Sequence, residues 1–285
     1  MNEPINLSVV IITKNEERNI GRCIASVGWA GEVVVVDSLS TDRTTEIART
    51  MGARVIDHAW EGFSKQKEFA VAQARNEWVL SLDADEEVTG ELRDEIASLF
   101  RAMQEASGRT VAPAVGYRIA RKSFFLGTWI RHSGWYPGYM LRLFRRSTAQ
   151  MRHRPVHEGF EIDGEVGTLN APLNHYTYDS LRQYLEKMND YTSLDVMNKL
   201  SERPDIVIRW YHVVLNPIAL FLRMMISLKG YRDGRHGFLL AVFSSLYKLL
   251  VYAKTWEYQH ARARGMELPP VDNADLLAIK RFRAS

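Results

Sequence analysis

The chain has 285 residues, 46% hydrophobic and 25% charged, with a net charge of +3 and no low-complexity tract. That excludes an extended disordered chain and suits one large α/β domain, or a smaller one with an appendage. Cys23 is the sole cysteine, so a disulfide-stapled scaffold is excluded and a reducing compartment is expected; the acidic start "MNEPINLSVVIITKNEE" predicts no secretory leader.

In chain order, "LSVVII" (7–12) predicts a buried strand and Glu16–Val27 a helix. "GEVVVVD" (31–37) is a second strand, with Thr41 or Asp42 able to cap a helix running to about Thr50. "ARVID" (53–57) is a third strand, Ser64–Ala74 a helix and "EWVLSL" (77–82) a fourth strand. This rhythm predicts parallel βαβ units with right-handed crossovers, and the unbroken Val/Ile runs predict a sheet covered on both faces. From Val115 the pattern changes: "VGYRIARKSFF" and "YMLRLFRRS" alternate apolar and basic residues as half-exposed strands do, and 166–178 reads as another strand. A helix is expected over Ser180–Leu200, and two apolar patterns follow, about 206–228 and 237–260.

Charge is unevenly spread. Residues 1–100 carry 10 Lys/Arg against 18 Asp/Glu, a net −8, and the other 185 carry 27 against 16, a net +11. Residues 118–154 hold nine Lys/Arg and no acid. An acidic, metal-tolerant half and a half that meets anions are expected, with a solvated basic face as the plainer alternative.

Ligands of open α/β sheets bind beyond the carboxyl ends of the strands. Three predicted strands end in polar clusters, "TKNEE", "DSLSTD" and "DADEE", which a parallel sheet would point at one crevice. In the last cluster Asp83, Asp85, Glu86 and Glu87 would repel one another unless a cation or solvent intervened. On an extended strand Asp83 and Asp85 face the same way and can share Mg²⁺ or Mn²⁺ with a substrate phosphate. Two other readings stay open: Asp85 or Glu86 caps the next helix, or Asp83 and Asp85 belong to an aspartyl-nucleophile phosphatase. Asp37 can accept hydrogen bonds from a base or ribose, or simply close a turn.

"VVIITKNEERNI", "VVVVDSLSTDRT" and "LDADEE" together resemble family 2 glycosyltransferases over roughly residues 7–100. The resemblance implies an α/β GT-A fold: a Rossmann-like, mostly parallel sheet with an antiparallel acceptor-side extension and C-terminal helices. It divides the chain into a nucleotide-sugar half (1–110), an acceptor-side half (111–204) and a helical membrane-interface or oligomer region (205–285). It implies that Thr13, Glu16, Asp37, Lys67 and Asp83 line the nucleotide pocket, with Asp83 and Asp85 at a divalent metal. Leu39 departs from the family, standing where many members have glycine.

The segments "HSGWYPGYMLRLFRR", "PVHEGF", "NHYTY" and "KGYRDGRHGFLLA" resemble the lipopolysaccharide-core glucosyltransferase branch. That resemblance implies Glu158 as catalytic base with His157 beside it or acting in its place, an inverting transfer from UDP-glucose, and a phosphorylated lipid-linked acceptor. No processive Q-x-x-R-W signature is present, so one transfer per acceptor is expected. His175 is a candidate further metal ligand against a packed-histidine alternative, and Arg142 and Arg145 are candidate phosphate contacts. Segments 207–228 and 237–253 carry charges and flanking aromatics, which suits helices in a membrane interface, on the inner face of the cytoplasmic membrane. Two packed core helices, or an oligomer contact, is the alternative. No nucleic-acid motif is found. Two competing functions are a membrane-anchored nucleotide-binding scaffold and a sugar-nucleotide pyrophosphorylase; the latter normally has a Gly-rich loop where this chain has "TKNEERNIG".

Overall fold

The structure is a computed structural model and describes residues 5–105, 114–152, 159–203 and 205–266. The predicted βαβ rhythm is met by β1 (Ile5–Thr13), α1 (Ile20–Ser26), β2 (Ala30–Asp37), α2 (Thr44–Thr50), β3 (Arg54–Asp57), α3 (Phe63–Ala72) and β4 (Trp78–Asp83). β1 pairs in parallel with β2 and β4, and β2 with β3. Val9, Val10, Ile11, Val34, Val35 and Val36 are buried, as a sheet covered on both faces requires.

Two expectations need correction here. The first helix begins at Ile20 and not Glu16, because residues 14–17 are drawn into loop-to-loop hydrogen bonds: Asn15 takes φ +52°, and Glu16 N–H donates to Thr44 Oγ1. Nor do Asp85 and Glu86 cap a helix. Residues Glu86–Val88 form a short strand, β5, and α4 (Gly90–Glu105) starts behind Thr89, whose hydroxyl accepts from Leu92 N–H.

The antiparallel part comprises β6 (Gly116–Phe125), β7 (Thr128–Trp129), β8 (Gly138–Arg145), β9 (Ala149–Arg152), β10 (Gly159–Ile162), β11 (Val166–Thr168) and β12 (Leu173–Tyr178). The single strand expected over 166–178 is thus two, parted around Pro172, whose ring nitrogen has no hydrogen to give a ladder. The main sheet runs β3-β2-β1-β4-β8-β6-β12-β5, with β7 and β11 beside β6. This mostly parallel half with an antiparallel extension is the GT-A arrangement expected above.

Two compact units divide the described chain. The first takes the residues up to Lys122 and Pro137–Tyr176; the second takes Ser123–Tyr136 and the residues from Thr177 on. In the second, α5 (Leu181–Glu202) starts at Ser180, whose side chain accepts from Gln183 N–H. There follow α6 (Trp210–Leu222), a π turn (Arg223–Ser227), a 3-10 turn (Gly230–Asp233) and α7 (Gly234–Ala263). Phe125, Ile130, Tyr184, Met188, Met224 and Leu240 form that unit's core.

Candidate active site

Strand register brings the three polar clusters of the first unit to one edge of the sheet. Thr13 lies opposite Asp37, Asp37 opposite Asp57, and Ile12 opposite Asp83. The loops after β1 and β2 are laced together: Asn15 N–H donates to Ser40 Oγ (2.8 Å), Thr41 N–H to Asn15 Oδ1 (2.8 Å) and Lys14 Nζ to the Ser38 carbonyl (2.7 Å). Asp37 is buried and accepts from Ser40 N–H at 2.6 Å and from the Ser40 hydroxyl. Burial pushes its pKa up, the Ser40 bonds offset part of this, and Asp57 alongside adds to the rise. Thr13 Oγ1 and Asn15 Nδ2, both buried, have no hydrogen-bond partner among the described residues. A ligand at this edge offers such atoms what the fold does not.

Leu39, the departure from glycine, sits at φ +60° with its side chain exposed. A β-carbon there costs about 1 kcal/mol or more. Leu39→Gly is expected to leave stability unchanged or raise it by up to about 1 kcal/mol, because relief of strain outweighs the freedom gained by the unfolded chain. Thermal unfolding checks this; a clear fall in melting temperature would show that Leu39 is held there by contacts stronger than its strain.

The crowded carboxylates after β4 are separated by cations of the protein itself. Asp83 Oδ1 is 3.2 Å from Lys67 Nζ, and its Oδ2 is 2.8 Å from Arg142 Nη2. The same Arg142 nitrogen bonds Glu86 Oε1, while Glu86 Oε2 accepts from Asp83 N–H at 3.0 Å. Glu86 is 0% exposed. Arg142 reaches both because it is the extra residue of a β-bulge: Tyr117 faces Leu143 while Arg118 faces Leu141. Half-buried Arg121 lies near enough for its charge to be felt by Arg142 and by Glu86, Asp83 and Asp85. Three carboxylates therefore meet three cations: Lys67, Arg121 and Arg142. Although burial would raise it, the Asp83 pKa is held far below the usual carboxylate range by Lys67 and Arg142; burial raises that of Glu86 despite Arg142.

Asp85 and Glu87 also reach partners on β12. Glu87 Oε2 accepts from Tyr176 OH at 2.7 Å and from Asn174 Nδ2 at 3.0 Å. Asp85 Oδ2 lies 3.5 Å from His175 Nε2, and both side chains retain some exposure, 17% and 13%. Among the described residues no three His, Cys, Asp or Glu side chains gather as a ready-made metal cage.

The structure thus joins Lys67, Asp83 and Arg142 in one network, sets His175 against Asp85, and places Thr13 beside Asp37. Glu16 sits on the adjoining loop, with its carboxylate accepting from Asn19 Nδ2. For the two candidate phosphate contacts, Arg142 and Arg145, the structure gives these surroundings. Arg142 places one guanidinium nitrogen on two carboxylates of its own chain, while its Nε has no hydrogen-bond partner among the described residues. Arg145 pairs with Trp78 at the start of β4, five residues and roughly 16 Å from Asp83 along the strand, with its guanidinium 5.8 Å from the indole centroid. His157 and Glu158 lie outside the described residues. Arg121 was missed; the acid-free stretch 118–154 was the one signal that could have found it.

Fold and site define an α/β domain built to hold a polar ligand beyond the carboxyl ends of β1, β2 and β4. Residues 8–165 match the model of the family "Glycosyl transferase family 2". The chain is 31% identical over 277 residues to "Lipopolysaccharide core biosynthesis glycosyltransferase LpsC" of Rhizobium meliloti, covering 94% of this chain and 97% of that one. It is also 31% identical over 256 residues to an uncharacterized glycosyltransferase of Rickettsia typhi, covering 88% and 87% of the two chains. The chain belongs to glycosyl transferase family 2. Among solved structures it is similar to the Pyrobaculum calidifontis mannosyltransferase PcManGT in complex with GDP-Man and Mn²⁺ (14% identity, 88% and 87% covered, TM-score 0.49). It is also similar to S. aureus TarS 1–349 in complex with UDP-GlcNAc (15% identity, 92% and 93% covered, TM-score 0.44).

Proposed function

We propose that the chain is an inverting hexosyltransferase that moves one sugar, glucose from UDP-glucose, to a lipopolysaccharide-core or similar phosphorylated lipid-linked acceptor. The family supports the sugar transfer, and the name of the Rhizobium relative supports the acceptor class. The observation that carries the site is the meeting of Asp85 and His175 at 3.5 Å, two residues along the chain from the Asp83 that Lys67 and Arg142 hold.

Asp85 and His175 offer one oxygen and one nitrogen, which would help hold Mg²⁺ or Mn²⁺. When bound, such a cation would supply charge stabilisation to the departing diphosphate. Lys67 and Arg142 hold Asp83 ionised and fixed, so it can take hydrogen bonds from a ribose hydroxyl. Thr13, Glu16 and Asp37 border the nucleotide. Residues 1–110 would bind the donor, 111–204 the acceptor, and 205–285 a surface.

Glu158, with His157 adjacent, would take the proton from the acceptor hydroxyl. Glu158→Gln is expected to keep UDP binding and lower turnover by about 10²–10⁴. UDP release from UDP-glucose with extracted lipopolysaccharide-core acceptor reads this; near-normal turnover would move the base elsewhere. Wild-type protein that releases no UDP would support a scaffold and overturn the enzyme reading.

The partner surface is the inner face of the cytoplasmic membrane. On α6 and the turn beyond it Trp210, Val214, Leu215, Ile218, Leu222 and Ile226 form an exposed apolar stripe at helical spacing. Exposed Arg209, Arg223, Lys229, Arg232 and Arg235 accompany it, as anionic headgroups would favour. Residues Gly230–Ala263 are also long and apolar enough to cross a membrane, by length and composition. The protein is expected to float with phosphatidylglycerol vesicles, and Trp210→Glu with Ile218→Glu to abolish flotation; equal flotation of both would exclude this face.

A further inference from the structure

We propose that the second unit carries its own saccharide site, an aromatic and basic corner formed by Trp129, Arg131, His132, Tyr136, Asp233 and His236, which binds a sugar bearing an anionic group. That this sugar is the acceptor rests on the transferase reading above; the binding itself does not.

The corner is shaped by two turns and a buried carboxylate. β6 returns to β7 through Leu126 and Gly127, both at positive φ, and the following loop turns again at Ser133 (φ +59°) and Gly134 (φ +80°). Its backbone is clamped from the other end of the unit by one carboxylate. Asp233, with its side chain 4% exposed, accepts from His132 N–H at 2.9 Å, Arg131 N–H at 3.2 Å and His132 Nδ1 at 2.9 Å. Ser133 N–H donates to the Leu228 carbonyl at 2.9 Å. The glycines of "KGYRDGRHG" are what let the pieces meet. A β-carbon on Gly237 would overlap the Gly230 carbonyl oxygen, and one on Gly230 would overlap Ser133 Oγ.

The side chains held by this clamp have the chemistry of a sugar platform. The half-exposed Trp129 indole is set edge to face with Tyr136 (5.4 Å, 88°), and the Arg131 guanidinium lies 4.4 Å from its ring centroid. A fixed indole suits the apolar C–H face of a pyranose. Arg131 is exposed and has no carboxylate partner among the described residues, so its planar fork is available to a phosphate or carboxylate. Asp233 on Nδ1 orients the His132 ring; its Nε2, with no partner among the described residues, is the edge left for a sugar hydroxyl. His236 Nε2 is 3.2 Å from Thr128 Oγ1, which sets a second imidazole in the same corner. Nothing in the donor site uses these residues.

The full chain, with saturating UDP present, should be titrated with glucose 6-phosphate, glucuronate and glucose by calorimetry and ligand-observed NMR. Both anionic sugars are expected to bind at least fivefold tighter than glucose and to be unaffected by UDP. Arg131→Gln, an exposed position whose folding circular dichroism checks, should erase that preference to within twofold. Trp129→Ala should weaken all three sugars at least tenfold. A preference that survives Arg131→Gln, displacement of the sugars by UDP, or no sugar binding would each overturn the site. If UDP fails to bind while the Arg131-dependent preference remains, the transferase reading fails and this one stands.

Discussion

Arg142→Ala is expected to destabilise the protein by about 3–5 kcal/mol, the cost of breaking a buried ion network by removing one partner. One guanidinium nitrogen serves both Asp83 and Glu86, and Glu86 has no exposed surface. Without it, Glu86 must either stay charged in the interior or take up a proton. Its folded-state pKa is already raised, burial being the main cause, and loss of Arg142 removes an opposing influence. A carboxyl with a raised folded-state pKa favours the folded state at low pH and loses that benefit as pH rises through the folded value. The gap between wild type and variant should therefore widen from about pH 5 to pH 8. Urea unfolding at both pH values reads this, and a loss below about 1 kcal/mol at pH 8 would contradict the network.

Asp85→Ala should behave in the opposite manner, keeping the fold and losing the chemistry. Its side chain is partly exposed with His175 3.5 Å away, and the repulsion from Asp83 and Glu86 relieved by its removal offsets the attraction of Arg121 that is lost. Stability should change by less than about 1 kcal/mol, as surface-type substitutions do. Turnover should fall by about 10²–10³, as when a group that stabilises transition-state charge is lost. UDP release by the purified variant decides this; turnover within a few-fold of wild type would remove Asp85 from the reaction.

The contrast between these neighbours shows what was legible in the sequence. The parallel half was legible because unbroken Val/Ile runs have few other stable placements, and the polar strand ends followed from it. The repulsion among Asp83, Asp85 and Glu86 was also legible, but its relief was not. Metal and solvent were the candidates, and the structure supplies Lys67 from α3 and two arginines from β6 and β8. A bulge set that aim, and a bulge has no local sequence signal here. The acid-free stretch 118–154 did meet anions, those of its own chain in the case of Arg121 and Arg142.

Glu86–Val88 was hidden for the same reason: an acidic run reads as a loop until a distant arginine makes its burial possible. Residues 16 and 17 were read as helix because polar residues suit a helix start, whereas their N–H groups donate to Thr44 and Asp42, more than 20 positions away. Leu39 was legible as an anomaly, and its positive φ gives the anomaly a physical meaning.

Manganese binding followed by electron paramagnetic resonance, with and without UDP, tests the Asp85–His175 site most directly. Wild type should bind Mn²⁺ appreciably only when UDP is present, since Asp85 and His175 alone make a poor cage, and Asp85→Ala should abolish that UDP-dependent binding. Unchanged Mn²⁺ uptake by Asp85→Ala, or its loss only on replacing Asp83, would contradict it.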